Sequence, residues 1–303
     1  MISSALESPQ AGVPSPRGTR LPDILLAGVS KAGTTSLYYH LAKHPEISIG
    51  DKKELHLLQN GVCGREEYGN HFRHTYAGEK HILEASPGYF DYGETLARRV
   101  REYLGPIKVI VMLREPCSLL ISYYLYRRQN QKLGDQTIEQ FFEERVRMRH
   151  HTWARLFTEW HGVFGDSLRV VFLEDLLQHT LTTVDALCRW LGIDPAPLTS
   201  IPLRNENSSF TPRSGTVQKY FYGLVGALRQ RNLYVPPAVR GAARSLYRTL
   251  NAGGGSRIAR EKRHLQDRMH SLVHCYMAPE LGKLAAVLYA SNQSIPAWLE
   301  AYR

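Results

Sequence analysis

"ILLAGVSKAGTTSLYYHLAKHP" (residues 24–45) reads as a buried strand, a glycine-bearing turn and the start of a helix. Such a junction offers unpaired backbone N–H groups at the positive end of a helix dipole, an arrangement that favours an anion. Gly28 and Gly33 keep the G-x-x-x-x-G spacing of a phosphate-binding loop, and Thr34, Thr35 and Ser36 add hydroxyl donors. A nucleotide P-loop, however, requires Lys and then Ser or Thr directly after the second glycine. Here Thr34 and Thr35 hold those places, and the lysine, Lys31, stands before the glycine. The loop is therefore out of register for a magnesium-bound triphosphate, while Lys31 is placed to neutralise a bridging or leaving oxygen of an anion held without metal. The same stretch also fails the G-x-S-x-G nucleophile elbow, because GVSKA ends in alanine.

Outward from this junction, strand-like and helix-like runs alternate. HILEAS (81–86), IKVIVMLRE (107–115) and LRVVFLEDL (168–176) read as further strands, and ETLARRVREYL (94–104) as a helix. Residues 118–129, 137–147 and 152–164 read as helices too, as does TTVDALCRWLGI, which Gly192 ends. This alternation predicts an α/β fold, a P-loop-like parallel β-sheet flanked by helices, with ligands at the carboxyl ends of the strands. Lys31, Glu84 and Arg114 all fall there. Residues 1–20 read as a flexible arm and 21–303 as one domain. Its part from about 216 to 303 is helical and Arg-rich, broken by NAGGGS (251–256).

With 43% hydrophobic and 22% charged residues, the 303-residue chain can fill one large core. It contains neither an apolar run of about 18 residues nor a basic start followed by an apolar signal segment, so no transmembrane segment and a cytoplasmic location are expected. Cys63, Cys117, Cys188 and Cys275 form no C-x-x-C pair and read as reduced thiols. Residues 204–270 hold thirteen Lys and Arg against three acidic residues, an excess equal to the net charge of +10 for the whole chain. So basic a region suits an anionic partner, yet the aromatic-basic interleaving of a nucleic-acid module is missing, and no specific nucleic acid is expected. The pairs His40/His44 and His270/His274 have i, i+4 spacing but lack the glutamate of H-E-x-x-H, so no metal is expected.

A second arm completes the picture. VIVMLREPCSLLISYYLYRRQ (109–129) ends a strand with Arg114 and opens a helix that carries Ser122 two turns on. The two side chains suit a second phosphate, although a local Arg114–Glu115 ion pair is an equal alternative. Together the two arms resemble the cytosolic and Golgi sulfotransferase superfamily, whose donor is 3′-phosphoadenosine 5′-phosphosulfate (PAPS). KAGTTSL (31–37) is similar to the loop that grips the 5′-phosphosulfate, which assigns Lys31, Ala32, Gly33, Thr34, Thr35 and Ser36 to it. LREPCSLLISYY (113–124) is similar to the 3′-phosphate motif, with Arg114 and Ser122. KELHLL (53–58) and EASPGYF (84–90) resemble stretches of the heparan-type carbohydrate O-sulfotransferases and their bacterial relatives, and put the base on Glu54, with His56 as second choice. SFTPRSG (209–215) resembles a bacterial loop near the donor, which adds Arg213 and Ser214.

The resemblance covers residues 22–215. It implies metal-free transfer of a sulfuryl group from PAPS to an acceptor hydroxyl, on a carbohydrate, a glycolipid or another small or carrier-bound molecule, anionic ones included. Two departures stand out: Leu119 occupies a place where the family often has Arg, and the heparan enzymes' late K-G-R loop is absent, which argues against a heparan substrate. Glu84 has two readings, orientation of Lys31 or the acceptor, and a local ion pair or cap. Tyr89 reads as an acceptor-site residue or a core aromatic. Two other functions compete: a P-loop nucleotide kinase, disfavoured by the missing Lys-Ser/Thr, and a non-catalytic polyanion-binding module, disfavoured by the presence of Lys31 and Glu54.

Overall fold

The computed structural model describes residues 20–59, 61, 64–73, 75–129, 136–145, 153–203, 249 and 255–303. Five strands form one parallel sheet: β1 (Ile24–Gly28), β2 (Ile47–Ile49), β3 (His81–Ala85), β4 (Lys108–Leu113) and β5 (Leu168–Phe172), in the order β2-β3-β1-β4-β5. β1 is central and its residues are apolar and fully covered, as a strand with helices on both faces must be. The chain leaves β1 toward β2 and β3 on one side and returns to β4 on the other. The carboxyl ends of β1 and β4 therefore flank the point where the winding reverses, where open α/β sheets take their ligands. Just past a register shift in the β1–β4 ladder, the Val29 N–H donates to the Met112 carbonyl at 2.6 Å and fixes where the loop after β1 begins.

The helices are α1 (Thr34–Leu41), α2 (Arg65–Arg73), α3 (Gly93–Leu104), α4 (Pro116–Gln129), α5 (Ile138–Arg145), α6 (Trp153–Phe164), α7 (Leu173–Gln178), α8 (Thr180–Leu191), α9 (Ala196–Thr199), a 36-residue α10 (Gly255–Ala290) and a short α11 (Ala297–Glu300). α3 packs on α6, and α10 packs across α4, α5 and α6. The predicted parallel α/β architecture with a helical C-terminal part is thus observed, with three revisions. β2 and α2 fall where the sequence reading assigns no element. The run 168–176 is strand only to Phe172, where the chain turns into α7. The glycine break at 251–256 is helical from Gly255 onward, and its earlier residues lie outside those described.

Two arrangements hold the margins of the sheet. Gly192, with φ 80°, closes α8 as its sequence predicts, and cations at the amino ends of β3, β4 and β5 serve that end of the helix. Lys80 donates to the Gly192 carbonyl at 2.5 Å, Lys108 to that of Trp190, and Arg169 to that of Ala186 at 3.0 Å. Lys108 and Arg169 also lie 5.2 and 5.3 Å from the centre of the Trp190 ring, at cation–π distance. On the edge strand β5, the side-chain amide of Gln293 accepts from the Val170 N–H at 2.9 Å and donates to the Leu168 carbonyl at 3.3 Å. Cys117 and Cys188 are buried free thiols and Cys275 an exposed one. Among the described residues, no helix is long and apolar enough to cross a membrane.

Candidate active site

The loop after β1 is built on two glycines with distinct duties. A Cβ on Gly28 would stand 2.6 Å from Phe90 Cβ, so this position serves close approach. Gly33, with φ 85°, is the N-cap of α1, and no side chain caps that helix. The Ser36 and Leu37 N–H groups both donate to the Gly33 carbonyl, at 3.0 and 3.1 Å. Helix geometry leaves the Thr34 and Thr35 N–H groups without an intrahelical acceptor, at the positive end of the dipole. The Ser36 N–H is thus engaged within the turn. Ala32 is fully buried and its N–H closes the turn on the Val29 carbonyl at 3.2 Å.

The second arm meets the first directly. Arg114 Nη1 donates to the Lys31 carbonyl at 3.2 Å, while its buried Nε has no hydrogen-bond partner. Glu174 and Glu115 both favour the Arg114 charge, and the two Glu115 oxygens also accept the Cys117 and Ser118 N–H groups, each at 2.7 Å, and cap α4. The Glu115 N–H donates to Glu174 Oε1 at 3.1 Å, which ties the loop after β4 to the start of α7. Ser122 is half-buried two turns down α4. One turn further, the exposed ring of Tyr126 receives the Lys31 ammonium 3.9 Å from its centroid. Burial, reinforced by Arg114 and opposed by Glu54, holds the Lys31 ammonium below the ordinary lysine range.

A third segment supplies the other candidates. Among the described non-glycine residues only Lys31, Glu54, His56 and Asn292 have positive φ, at 73°, 65°, 54° and 53°. Three of the four are the residues the sequence marks as catalytic, and side chains held in this sparsely populated region cluster at functional sites. The Glu54 N–H donates to the Ala85 carbonyl at 2.9 Å, and Glu54 Oε1 pairs with Lys53 at 2.5 Å, its side chain half-exposed. The His56 N–H donates to Ser86 Oγ at 3.1 Å. Burial, partly offset by Glu54, depresses the His56 imidazole, which leaves it neutral at pH 7. Glu84 neither caps a helix nor pairs with Lys31; its carboxylate is buried and accepts from Ser86 Oγ–H at 2.5 Å. Tyr89 is a core aromatic whose hydroxyl accepts the Leu58 N–H at 2.9 Å.

The structure thus places Lys31 through Ser36 and Arg114 at the carboxyl ends of β1 and β4, Ser122 two turns down α4, and Glu54 and His56 beside β3. Arg213 and Ser214 lie outside the described residues. Tyr126 and Ser86 were missed; the one signal for Tyr126 is its i+4 spacing from Ser122, and Ser86 offers only its place at a strand end. His44 is a packed histidine, its Nε2–H on the Asp194 carbonyl at 2.6 Å and its Nδ1 accepting the Glu46 N–H at 3.1 Å, and His40 is buried beside it on α1. His270 and His274 are exposed on α10, where with Glu115, Cys117, Ser118, Trp298 and Tyr302 they line a cleft of about 610 Å³. Lys31, Glu54 and His56 are not on its wall, whereas Glu115, Cys117 and Ser118, which follow Arg114, are. No group of three or more metal-ligating side chains occurs among the described residues.

Residues 21–220 match the family model described as a sulfotransferase domain. The membrane-associated sulfotransferase kil1 of Dictyostelium discoideum is 36% identical over 112 residues, covering 36% of this chain and 24% of that protein. Heparan sulfate glucosamine 3-O-sulfotransferase 5 of Mus musculus is 28% identical over 125 residues, covering 40% of this chain and 35% of that protein. The alignments therefore span about a quarter of the first relative and about a third of the second. Among solved structures, a sulfotransferase from Alicyclobacillus acidocaldarius superposes with a TM-score of 0.58 at 18% identity, covering 91% of this chain and 98% of the other, a likeness of fold.

Proposed function

The chain belongs to the sulfotransferase-domain family, and from that premise we propose that it transfers a sulfuryl group from PAPS to an acceptor hydroxyl, without a metal. The observation that carries this reading is the start of α1, which no side chain caps and whose Thr34 and Thr35 N–H groups have no intrahelical acceptor, on a loop whose Lys31 carbonyl Arg114 holds. A helix start in protein interior needs acceptors for such donors, and two cations beside it select an anionic one. The unpaired Nε of Arg114, with Ser122 on the same arm, suits a second phosphate, the 3′-phosphate that distinguishes this donor from ATP.

Sulfuryl transfer, like phosphoryl transfer, proceeds through a loose transition state, so catalysis rests on positioning and on charge placed where charge develops. Bound donor supplies an electrophilic sulfur and a nucleotide leaving group. The Thr34 and Thr35 N–H groups hold the 5′-phosphate, with the Thr34, Thr35 and Ser36 hydroxyls beside them, and Gly33 and Ala32 shape the turn. Lys31, drawn off the Tyr126 ring by a stronger anion, neutralises the leaving oxygen. Glu54 is the base that takes the acceptor proton and is worth about 10² to 10⁴ in rate, with His56, neutral and able to accept, as its alternate. The acceptor is a carbohydrate, a glycolipid or a carrier-bound hydroxyl compound; the basic residues 204–270 suit one that carries negative charge.

Calorimetric titration with 3′-phosphoadenosine 5′-phosphate (PAP), in parallel with ADP, each with magnesium and with EDTA, tests the donor assignment. The expected result is metal-independent binding of PAP and little binding of ADP. Preferential, magnesium-dependent binding of ADP would replace this reading with a nucleotide kinase.

A further inference from the structure

Glu84 is a carboxyl group in an expensive position. It lies near the end of β3, opposite Leu25 of β1, and only 2% of its surface is exposed. Its Oε1 accepts the Ser86 hydroxyl at 2.5 Å, and its Oε2 has no hydrogen-bond partner. Burying an acid with one oxygen unpartnered costs several kcal/mol relative to an apolar residue. What it holds is Ser86, whose Oγ in turn accepts the His56 N–H at 3.1 Å. Beside that bond the Glu54 N–H donates to the Ala85 carbonyl at 2.9 Å. Two left-handed residues, Glu54 and His56, are thereby pinned on either side of Leu55 by Ala85 and by Ser86, which Glu84 holds. Left alone, each such residue relaxes by about 1 kcal/mol or more to the right-handed region.

We propose that Glu84 is a positioning residue, which through Ser86 fixes the strained segment that presents Glu54 and His56. The roles of those two side chains rest on the function proposed above; the bracing itself does not. A second consequence follows from burial. Lys53 and Glu54 face Glu84 from the segment, and Tyr38 faces it from α1. Burial outweighs the Ser86, Lys53 and Leu55 contributions and raises the Glu84 carboxyl to about 7. Opening of the segment that covers it admits water and returns the carboxyl toward its ordinary value. The closed segment therefore binds the proton more tightly than the open one, and closure weakens as pH rises through about 7.

Hydrogen exchange read by mass spectrometry on peptides spanning 53–59, corrected for intrinsic rates between pH 6 and 8, tests this without nucleotide or acceptor. In the wild type, protection of the Glu54 and His56 amides falls roughly tenfold over that range, and at every pH it stays below that of β1 and β4, which exchange only on global unfolding. Glu84→Gln removes the pH response, and Ser86→Ala lowers His56 protection at every pH. A wild-type pH response in Glu84→Gln, unchanged protection in Ser86→Ala, or segment protection equal to that of β1 and β4 at every pH would each overturn the proposal. PAP titration of the same samples separates the two readings: failure to bind PAP with the exchange pattern intact sinks the donor assignment and leaves the brace standing.

Discussion

Gly33→Ala is the substitution whose cost can be worked from the geometry. Gly33 has φ 85° and ψ 10°, a conformation that costs an L-residue about 1–2 kcal/mol. An alanine Cβ there would also lie 2.5 Å from Leu173 Cδ1, with Cδ2 and Cγ at 3.5 Å. Leu173 is nearly buried, so its methyl can yield only by leaving its rotamer, at about 0.5–1.5 kcal/mol. Alanine stiffens the unfolded chain and returns about 0.4–1 kcal/mol. The net expectation is a destabilisation of about 1–3 kcal/mol, measured by urea unfolding. Leu173→Ala removes the clash and leaves the backbone term, so the double variant should show a favourable coupling of about 1 kcal/mol on top of the cavity cost of Leu173→Ala alone. PAP affinity should fall in both chains that carry Gly33→Ala, because the Thr34 and Thr35 N–H groups directly follow the substituted position. A Gly33→Ala chain within about 0.5 kcal/mol of wild type, or additive costs in the cycle, would refute the steric argument.

Lys31→Ala and Glu54→Gln should both fold, and both should lose most of kcat with a proven acceptor, donor affinity dropping mainly in the first; near-normal turnover of Glu54→Gln would move the base to His56. Arg114→Lys, which gives up a planar fork for a point charge, should weaken PAP binding by roughly tenfold to a hundredfold and leave ADP binding unchanged, as read by calorimetry. The folded chain keeps a proton on Glu84 between about 4.5 and 7 that the unfolded chain has released. Its contribution to stability is therefore full below 4.5 and is lost as pH rises through 7, by on the order of 3 kcal/mol, and urea unfolding at pH 5 and 8 should show that slope flattened in Glu84→Gln.

What was legible in the chain is what depends on neighbours in sequence. The loop from Gly28 to Ser36 could be read because its glycine spacing, its misplaced lysine and the strand before it lie within about a dozen residues. The end of α8 at Gly192 was equally local. β2 escaped because three residues, Ile47–Ile49, are too few for any hydrophobic period, and α2 because only Tyr68, Gly69 and Phe72 of its nine residues are buried. The role of Glu115 hinged on geometry: beside Arg114 it suggests a pair, and the N–H groups of a helix start also claim its oxygens. Ser86 on His56 and Tyr126 under Lys31 join residues 30 and 95 positions apart, and no pattern along the chain announces such meetings.

The amide of Gln293 carries a consequence for how the molecule behaves in company. β5 is the outermost strand on its side of the sheet, and a bare margin of N–H and C=O groups is a template on which another chain can add a strand. Gln293 occupies the positions a sixth strand would take, satisfying Val170 and Leu168 with one donor and one acceptor. Replaced by alanine, it would leave the fold standing and the margin open, so the defect would show as concentration-dependent self-association before any change in melting.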